Sequence, residues 1–229
     1  MTSSITGISS MATRAVLAQL AAAYRLQSGL EVTIESMGGV DAARRVQAGE
    51  RFDLVVLAAD VIDQLIGSGH VVAGSRVDLV HSGVALAVRV GAPQPDIGSE
   101  AAVRSAVLAA RHIGYSTGPS GVQLARLFER WGISEQIKAR LVQAKPGVPV
   151  GLAVARGEVE LGFQQLSELM HVEGIEVVGP LPPEIQINTT FSAGICVSAT
   201  QPDAARQLLA FLASPRAAPA KRQHGMMPA

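Results

Sequence analysis

The sequence predicts an α/β fold in which helices cover largely parallel β-sheets. Segments of strand length alternate with segments of helical periodicity along the whole chain, which is the pattern of α/β layers. The strand predicted over residues 52–57 is almost continuously apolar, as expected of a parallel sheet covered on both faces. With 229 residues, of which 48% are hydrophobic, the chain has apolar material for one large domain or two small ones.

The first part of the chain contains three predicted strands, each followed by a helix. Apolar residues recur at helical spacing in residues 12–27, and Ser28-Gly29 supplies the glycine that ends a helix. Residues 30–35 alternate apolar with polar side chains, which indicates a strand. The predicted strands are 5–8, 30–35 and 52–57, and the predicted helices are 12–27, 40–47 and 60–66.

The long apolar stretch 77–90 precedes a change in composition. Gly-Ala-Pro-Gln-Pro at 91–95 marks the end of one unit and the entry to another, and beyond it strands and helices alternate again. The further predicted strands are 113–116, 160–165, 175–178 and 188–199. The further predicted helices are 100–110, 121–131, 136–141, a segment leading from 148–150 to 156, and 203–212.

Composition excludes several classes of partner. The 19 Lys and Arg residues balance 19 Asp and Glu residues, so the chain has no net charge with which to hold a polyanion, and we expect no nucleic-acid partner. The one cysteine, Cys196, lies in an apolar run and is expected to be a core residue. Without a second cysteine there is no Cys-based metal site or redox pair, and no cluster of metal ligands is visible, so we expect no metal.

The N-terminal residues predict the location of the protein. Residues 1–4 lead into the first strand without a basic or an apolar signal region, and no run approaches the eighteen or so apolar residues of a membrane span. As written, the chain is expected in the cytoplasm; it would be periplasmic if a leader had been removed.

Two Ser/Gly turns, each between a short strand and a helix, indicate an anion site. The first lies in residues 5–10 and the second in residues 112–121. A helix N-terminus leaves backbone N–H groups unpaired and carries the positive end of the helix dipole, so hydroxyls and glycines placed there favour an anion. The alternative interpretation is that these residues are only caps and turn formers.

Several segments resemble the molybdate-type branch of the type II periplasmic solute-binding proteins. They are the string 52–60, Gly74-Ser75-Arg76, the two Ser/Gly turns, 211–215 and 225–228. The resemblance implies a two-lobed fold, with lobe 1 formed by 1–80 plus 191–229 and lobe 2 by 81–190. It also implies crossover hinge strands over 78–84 and 190–196, and a small anionic ligand in the cleft between the lobes. The sequence does not determine the oligomeric state.

The resemblance also implies which residues contact the ligand. The ligand-binding loops of the family correspond to Ser9, Ser10, Gly38, Gly39, Ala58, Ala59, Ser116, Thr117, Ser120 and Gly121. Molybdate binders commonly have a tyrosine where this chain has Phe163-Gln164-Gln165. The amide of Gln164 both donates and accepts hydrogen bonds, which favours a ligand with mixed groups. Arg14 is either a bidentate partner for a carboxylate or a solvated helix residue.

Residues 162–168 and 174–183 are similar to the aconitate isomerase-like members of that family. This similarity implies an isomerase that needs no cofactor and interconverts cis and trans forms of an unsaturated polycarboxylate by allylic proton transfer. His81, on the predicted crossover, is the candidate acid or base, since histidine titrates near neutrality; its alternative is a structural role. Asp60 is interpreted as a helix cap. No Ser-His-Asp arrangement is visible, so nucleophilic catalysis is not expected.

Three function classes therefore stay open. The first is the isomerase. The second is the substrate-binding protein of an ABC importer for a molybdate-like oxyanion or a small carboxylate, without catalysis. The third is a ligand-sensing module, which would need a partner surface or a DNA-binding segment.

Overall fold

The computed structural model describes residues 4–229, which divide into two units. Unit 1 comprises Met1–His81 and Thr190–Ala229, and unit 2 comprises Ser82–Thr189. The sequence predicted no export signal at residues 1–4. Residues 1–3 lie outside the described residues. No helix within residues 4–229 is both long enough and apolar enough to cross a membrane.

Unit 1 is built on a sheet with the strand order β2-β1-β3-β9. Its strands are β1 (Ser4–Ser10), β2 (Glu31–Met37), β3 (Leu54–Ala58) and the larger part of β9 (Asn188–Ile195). The first three run parallel, and β9 runs antiparallel to β3. Strand β4 (Val77–Arg89) begins in this unit, where the short C-terminal strand β10 (Met226–Pro228) pairs with it.

The described part of unit 1 contains five helices. They are α1 (Arg14–Ser28), α2 (Gly39–Gln47), α3 (Ala59–Gly67), α9 (Pro202–Ala213) and α10 (Ala218–Gln223). Helix α1 buries Val16, Leu17, Leu20 and Tyr24 along one face. It ends at Gly29, whose φ of 73° is a left-handed conformation that glycine adopts without strain, as the sequence predicted.

The two faces of β3 pack against different helices, so the core of unit 1 has two parts. Leu54 and Val56 pack with the α1 and α9 side chains, whereas Val55 and Leu57 pack with those of α2 and α3. Successive strand residues face opposite sides of a sheet, so a strand covered on both faces is apolar throughout. Each such side chain contributes about 1.5–3 kcal/mol on burial.

Unit 2 contains a mixed sheet with the strand order β4-β7-β5-β6. Its strands are the rest of β4, β5 (Ile113–Tyr115), β6 (Leu141–Gln143), β7 (Leu161–Gln165), β8 (Ile175–Pro180) and the start of β9. Strands β5, β6 and β7 are parallel, and β4 runs antiparallel to both β7 and β8.

The helices of unit 2 are α4 (Glu100–Ala109), α5 (Pro119–Arg130), α6 (Ser134–Ile137), α7 (Val150–Ala155) and α8 (Leu166–Leu169). The ring of Phe128 on α5 meets Phe163 on β7 edge to face, with centroids 6.5 Å apart. Helix α7 packs closely on two strand glycines. A Cβ on Gly162 would lie 2.4 Å from Val154, and one on Gly114 would lie 3.0 Å from Val150. These glycines therefore let α7 approach the sheet.

The structure corrects several predicted elements. Residues 136–141 are not one helix, because α6 ends at Ile137 and Leu141 begins β6, where it pairs with Ile113. Helix α5 begins at Pro119, so Ser120 and Gly121 lie in its first turn. Asp60 is not a cap: α3 begins at Ala59, and Asp60 is an exposed residue of its first turn. Strands β6 and β10 and helices α8 and α10 were not predicted.

Cys196 follows β9 directly and is buried, as predicted. Burial raises the pKa of its thiol to about 12, with a smaller contribution from the charge of Asp53. The thiol is therefore un-ionised at neutral pH and serves as a small core residue.

Candidate functional site

The three parallel strands of unit 1 end at one edge of the sheet. The register aligns Ser9 with Ser36 on β2 and with Val56 on β3. The residues that follow each strand therefore lie beside one another. This edge brings together Ser9, Ser10, Ser36, Gly38, Gly39, Ala58 and Ala59, and we call these residues the unit 1 surface. The carboxyl ends of parallel strands are where open α/β sheets bind ligands.

Hydroxyl groups of the unit 1 surface are close together and partly unpartnered. The Ser9 and Ser36 Oγ atoms lie 2.8 Å apart, and Ser9 Oγ also donates to the Ser10 carbonyl at 3.3 Å. The Ser10 Oγ atom is buried and has no hydrogen-bond partner. Buried polar atoms are nearly always hydrogen-bonded, so this hydroxyl is available to a ligand or a water molecule.

Two helices begin at this surface without a side-chain cap. Gly38 precedes α2 and Ala58 precedes α3, and neither helix has a side chain that accepts from its first N–H groups. A Cβ added to Gly39 would lie 3.9 Å from the Ser10 Cβ, which places the start of α2 beside that serine. The uncapped N–H groups are donors suited to an anion.

His81 lies at the same edge of unit 1. Its Nδ1 atom is 2.9 Å from Thr190 Oγ1, and the imidazole is exposed. Ala58 pairs with Phe191, so Thr190 stands one residue beyond the carboxyl end of β3. The structure thus brings His81 near the unit 1 surface; an acid or base role for it stays a prediction.

Arg14 begins α1 and is exposed. Among residues 4–229 no hydrogen bond or ion pair engages its guanidinium, which fits either of its two interpretations. Its contact with a carboxylate stays a prediction.

The parallel strands of unit 2 also end at a common edge. Tyr115 pairs with Phe163 on β7, so Ser116 is level with Gln164. The turn that contains Ser116, Thr117, Ser120 and Gly121 therefore lies at this edge. Ser116 Oγ is 3.1 Å from Ser120 Oγ, and α5 begins after Gly118 without a side-chain cap.

Gly121 has a steric reason to be glycine. A Cβ at this position would lie 1.8 Å from the Ser116 carbonyl oxygen, far inside van der Waals contact. The absent side chain lets the turn fold tightly onto the start of α5. This explains the residue type, and ligand contact by Gly121 stays a prediction.

Gln164 is buried, and half of its hydrogen-bonding capacity is already used. Its Oε1 accepts from the Val150 N–H at 2.7 Å, and its Nε2 donates to Glu168 Oε1 at 2.8 Å. One lone pair of Oε1 and the second amide hydrogen of Nε2 remain for a ligand. Ligand contact by Gln164 stays a prediction.

Glu168, on α8, was missed by the sequence analysis. Burial raises the pKa of its carboxyl from the ordinary 4.5 to about 7, against the opposing effect of the Gln164 hydrogen bond. A carboxyl with this pKa exchanges protons near neutral pH. Its position four residues after Gln164 was the available signal in the sequence. That spacing indicates a contact between the two side chains only when α8 is known to begin after β7.

Three further buried side chains of unit 2 have an atom without a partner. They are Ser82 Oγ, Gln165 Oε1 and Ser167 Oγ. The Gln165 Nε2 atom donates to Thr189 Oγ1 at 2.9 Å. Val84 pairs with Gln165 across β4 and β7, which places Ser82 beside the segment that carries Ser167. With the turn 116–121 and Glu168, these side chains form what we call the unit 2 surface.

The comparison with protein families identifies the class of the chain. Residues 5–227 match the family model described as bacterial extracellular solute-binding protein. The chain belongs to this solute-binding family. The predicted α/β solute-binding fold and the predicted resemblance to the solute-binding proteins are confirmed.

Known relatives of this family member include an enzyme and binding proteins. The chain is 40% identical to the aconitate isomerase of a Pseudomonas species over 98% of this chain and 87% of that enzyme. It superposes on the periplasmic molybdate-binding protein of Azotobacter vinelandii with a TM-score of 0.83, at 20% identity, covering 97% of this chain and 98% of that one. The sulfate-binding protein SubI of Mycobacterium tuberculosis gives a TM-score of 0.78 at 17% identity, covering 99% and 87%. The two structural likenesses show the fold alone.

The side chains of this solute-binding protein also bear on metal binding. Within residues 4–229 no three His, Cys, Asp or Glu side chains come together in the manner of metal ligands. The polar groups at both surfaces are hydroxyls, amides and backbone N–H groups, together with one carboxyl. This donor set suits carboxylate or oxyanion ligands.

Proposed function

We propose that this chain is an isomerase that interconverts cis- and trans-aconitate, a small unsaturated tricarboxylate, by allylic proton transfer without a cofactor. The observation that carries the proposal is the 40% identity to an aconitate isomerase over 98% of the chain. Identity over this length, with little of either protein left unmatched, supports an isomerase as the enzyme class.

The carbon skeleton of aconitate suits a single proton transfer. A base removes a proton from the methylene carbon, and the electron pair of that C–H bond enters the allylic system. A proton is then returned to the carbon at the other end of that system, and the double bond shifts by one position. The shifted product is aconitate again, in which the new double bond takes the cis or the trans geometry. No oxidant and no other reactant is consumed.

Hydrogen-bond donors assist this step by stabilising negative charge. As the proton leaves, charge spreads onto the substrate carboxylates, and fixed donors at those oxygens lower the barrier. We assign this role to Ser9 and Ser10 in unit 1, and to Ser116 and Ser120 in unit 2. The uncapped starts of α2, α3 and α5 supply backbone N–H groups for the same purpose. That one ligand contacts both surfaces stays a prediction of the family resemblance.

Chromatographic separation of the two isomers tests the proposal. Chelator-treated protein is incubated with trans-aconitate, and we expect cis-aconitate to form until both isomers reach equilibrium. The double variant Ser9→Ala/Ser10→Ala should slow this conversion by at least about 100-fold. A matched control is Ser28→Ala, at the far end of α1. No conversion by the wild-type protein would refute the proposal.

A second candidate function is ligand binding without catalysis. It is favoured by membership of a solute-binding family and by the likeness to a molybdate-binding protein at a TM-score of 0.83. In this case the chain is the substrate-binding protein of an importer for an oxyanion or a small carboxylate, and the family description supports an exported location. Calorimetric titration with molybdate, sulfate and aconitate separates the two candidates, because only the isomerase converts the ligand that it binds.

A further inference from the structure

We propose that Glu168 is the general base that removes the allylic proton and, once protonated, returns it to the other end of the allylic system. The assignment rests on the proposed isomerase function and names the group that this reaction requires. It differs from the histidine that the sequence indicated.

The position of Glu168 follows from the sheet register of unit 2. Gln164 is level with Ser116, and α8 begins directly after β7 ends at Gln165. Glu168 is therefore at the edge where the turn 116–121 also lies. Gln165 and Ser167 precede it by three residues and one residue. The Gln165 Oε1 and Ser167 Oγ atoms have no hydrogen-bond partner among the described residues, so Glu168 adjoins polar groups that still have hydrogen-bonding capacity.

The carboxyl of Glu168 is held in place on one side. Gln164 Nε2 donates to its Oε1 at 2.8 Å, and Gln164 is itself fixed by the Val150 N–H at 2.7 Å. A general base must be oriented toward one proton, and a buried amide with two hydrogen bonds provides that orientation.

The surroundings of the carboxyl place its proton exchange near neutral pH. Helix α8 packs on β7, α7 and β8. The titratable groups on these elements and their adjoining turns are Lys145, Arg156, Glu158, Glu160, His171, Glu173 and Glu176. None of them contributes to the shift of the Glu168 pKa, which burial raises to about 7 and the Gln164 hydrogen bond opposes. Both protonation states are therefore accessible at the same pH, as a group that first takes and then returns a proton requires.

The other carboxyls whose pKa is clearly shifted are shifted in the opposite direction. Within the described residues, the remaining carboxyls with a shifted pKa are all lowered, and they are Glu50, Asp53, Asp78, Glu100 and Glu160. Each accepts hydrogen bonds that stabilise its charged form, which makes it a weaker base. His81, the acid or base that the sequence indicated, is exposed, and its Nδ1 atom is hydrogen-bonded with Thr190 Oγ1.

The proton balance of the step is complete. The Glu168 carboxylate accepts H⁺ from the methylene carbon as the C–H bond breaks. The electron pair of that C–H bond becomes delocalised over the allylic system and the substrate carboxylates. The neutral Glu168 carboxyl then donates the same proton, or one exchanged with solvent, to the terminal carbon of the former double bond. Glu168 is a carboxylate again at the end of the turnover.

The test compares Glu168→Gln and Glu168→Asp with the control Glu173→Gln, which changes an exposed carboxyl on the turn after α8. Turnover of trans-aconitate is measured from pH 5 to pH 9, and binding of the saturated analogue propane-1,2,3-tricarboxylate is measured by calorimetry. We expect Glu168→Gln to lose at least about 100-fold in kcat while binding the analogue within about threefold of wild type. The Glu173→Gln variant should match wild type.

The pH profile separates a base from a structural role. Wild-type kcat/KM should rise with pH along a limb with an apparent pKa of about 7. Glu168→Asp keeps a carboxyl, so it should retain measurable turnover, and the apparent pKa of its rising limb should differ from that of wild type. If Glu168→Gln does not fold, Glu168→Asp takes its place in the test. Activity of Glu168→Gln within about twofold of wild type, or an unchanged limb in Glu168→Asp, would overturn the assignment. An inactive wild-type protein would instead refute the isomerase function itself.

Discussion

Gln164 donates to the carboxyl of Glu168 at 2.8 Å while its own carbonyl oxygen holds the first turn of α7. One buried amide thus joins the end of β7, the start of α7 and the α8 carboxyl. Only a side chain that both donates and accepts can make this connection. Packing in unit 2 and the protonation of Glu168 are therefore linked through a single residue.

Replacing Gln164 with Leu should affect both stability and pKa. Loss of both hydrogen bonds leaves the Val150 N–H and the Glu168 carboxyl without partners in a buried region, which should lower the free energy of unfolding by about 2–3 kcal/mol. Because the lost bond favours the charged carboxyl, the pKa of Glu168 should rise further. Urea unfolding measures the first effect. The matched control is Gln94→Leu, which removes an exposed hydrogen bond to Glu176 and should cost less than about 0.5 kcal/mol.

Glu168 should make stability depend on pH. Its pKa in the folded state is raised from 4.5 to about 7, so between these values the folded protein binds more protons than the unfolded chain. The stability that this group contributes is therefore present below pH 4.5 and falls as the pH rises through about 7. Glu168→Gln has no carboxyl to ionise at this position, so its free energy of unfolding does not fall in this way. At pH 8 it should be more stable than wild type by up to about 3 kcal/mol. Thermal unfolding at pH 5 and pH 8 checks the sign, and a larger advantage at pH 5 than at pH 8 would contradict it.

Gly121→Ala should disrupt the turn 116–121. The added Cβ would lie 1.8 Å from the Ser116 carbonyl oxygen, so the backbone must move, at a cost of at least about 3 kcal/mol. Gly118→Ala is the matched control. Its Cβ would lie 3.9 Å from Ser116 Oγ, with φ at −77°, and we expect a change below about 0.5 kcal/mol. Chemical denaturation measures the free energy of unfolding of both variants. Equal values would contradict a steric requirement for glycine at position 121.

Ser10→Ala should weaken anion binding and leave the fold intact. The Ser10 Oγ atom has no hydrogen-bond partner within residues 4–229, so its removal should change the free energy of unfolding by less than about 0.5 kcal/mol. A lost hydrogen bond to a charged ligand should reduce affinity by about 10-fold. Calorimetry with aconitate measures this loss, and Ser28→Ala serves as the control. Unchanged affinity would remove Ser10 from the binding surface.

Much of the fold could be predicted because it follows from side-chain patterns. The apolar run of β3 matches its burial on both faces, and the glycine stop at Gly29 ends α1 as expected. The Ser/Gly turns after β1 and β5 lie at carboxyl ends of strands, since a strand, a turn and a helix in succession place them there.

Elements of three to six residues escaped prediction for a physical reason. Strand β6 and helix α8 are too short to show a period, and their existence depends on pairing with β5 and on packing against β7. Pro119 was an overlooked signal for the start of α5, since proline is favoured in the first turn of a helix. The raised pKa of Glu168 and the unpartnered oxygens Ser82 Oγ and Gln165 Oε1 result from tertiary burial, which no local pattern reveals.

Proton NMR of wild-type protein with trans-aconitate in deuterated buffer is the decisive measurement for the isomerase function. We expect cis-aconitate signals to grow in while the methylene protons exchange for deuterium, because each turnover breaks and re-forms a C–H bond. Unchanged aconitate signals, with calorimetry showing that aconitate binds, would contradict the isomerase and establish a protein that only binds its ligand.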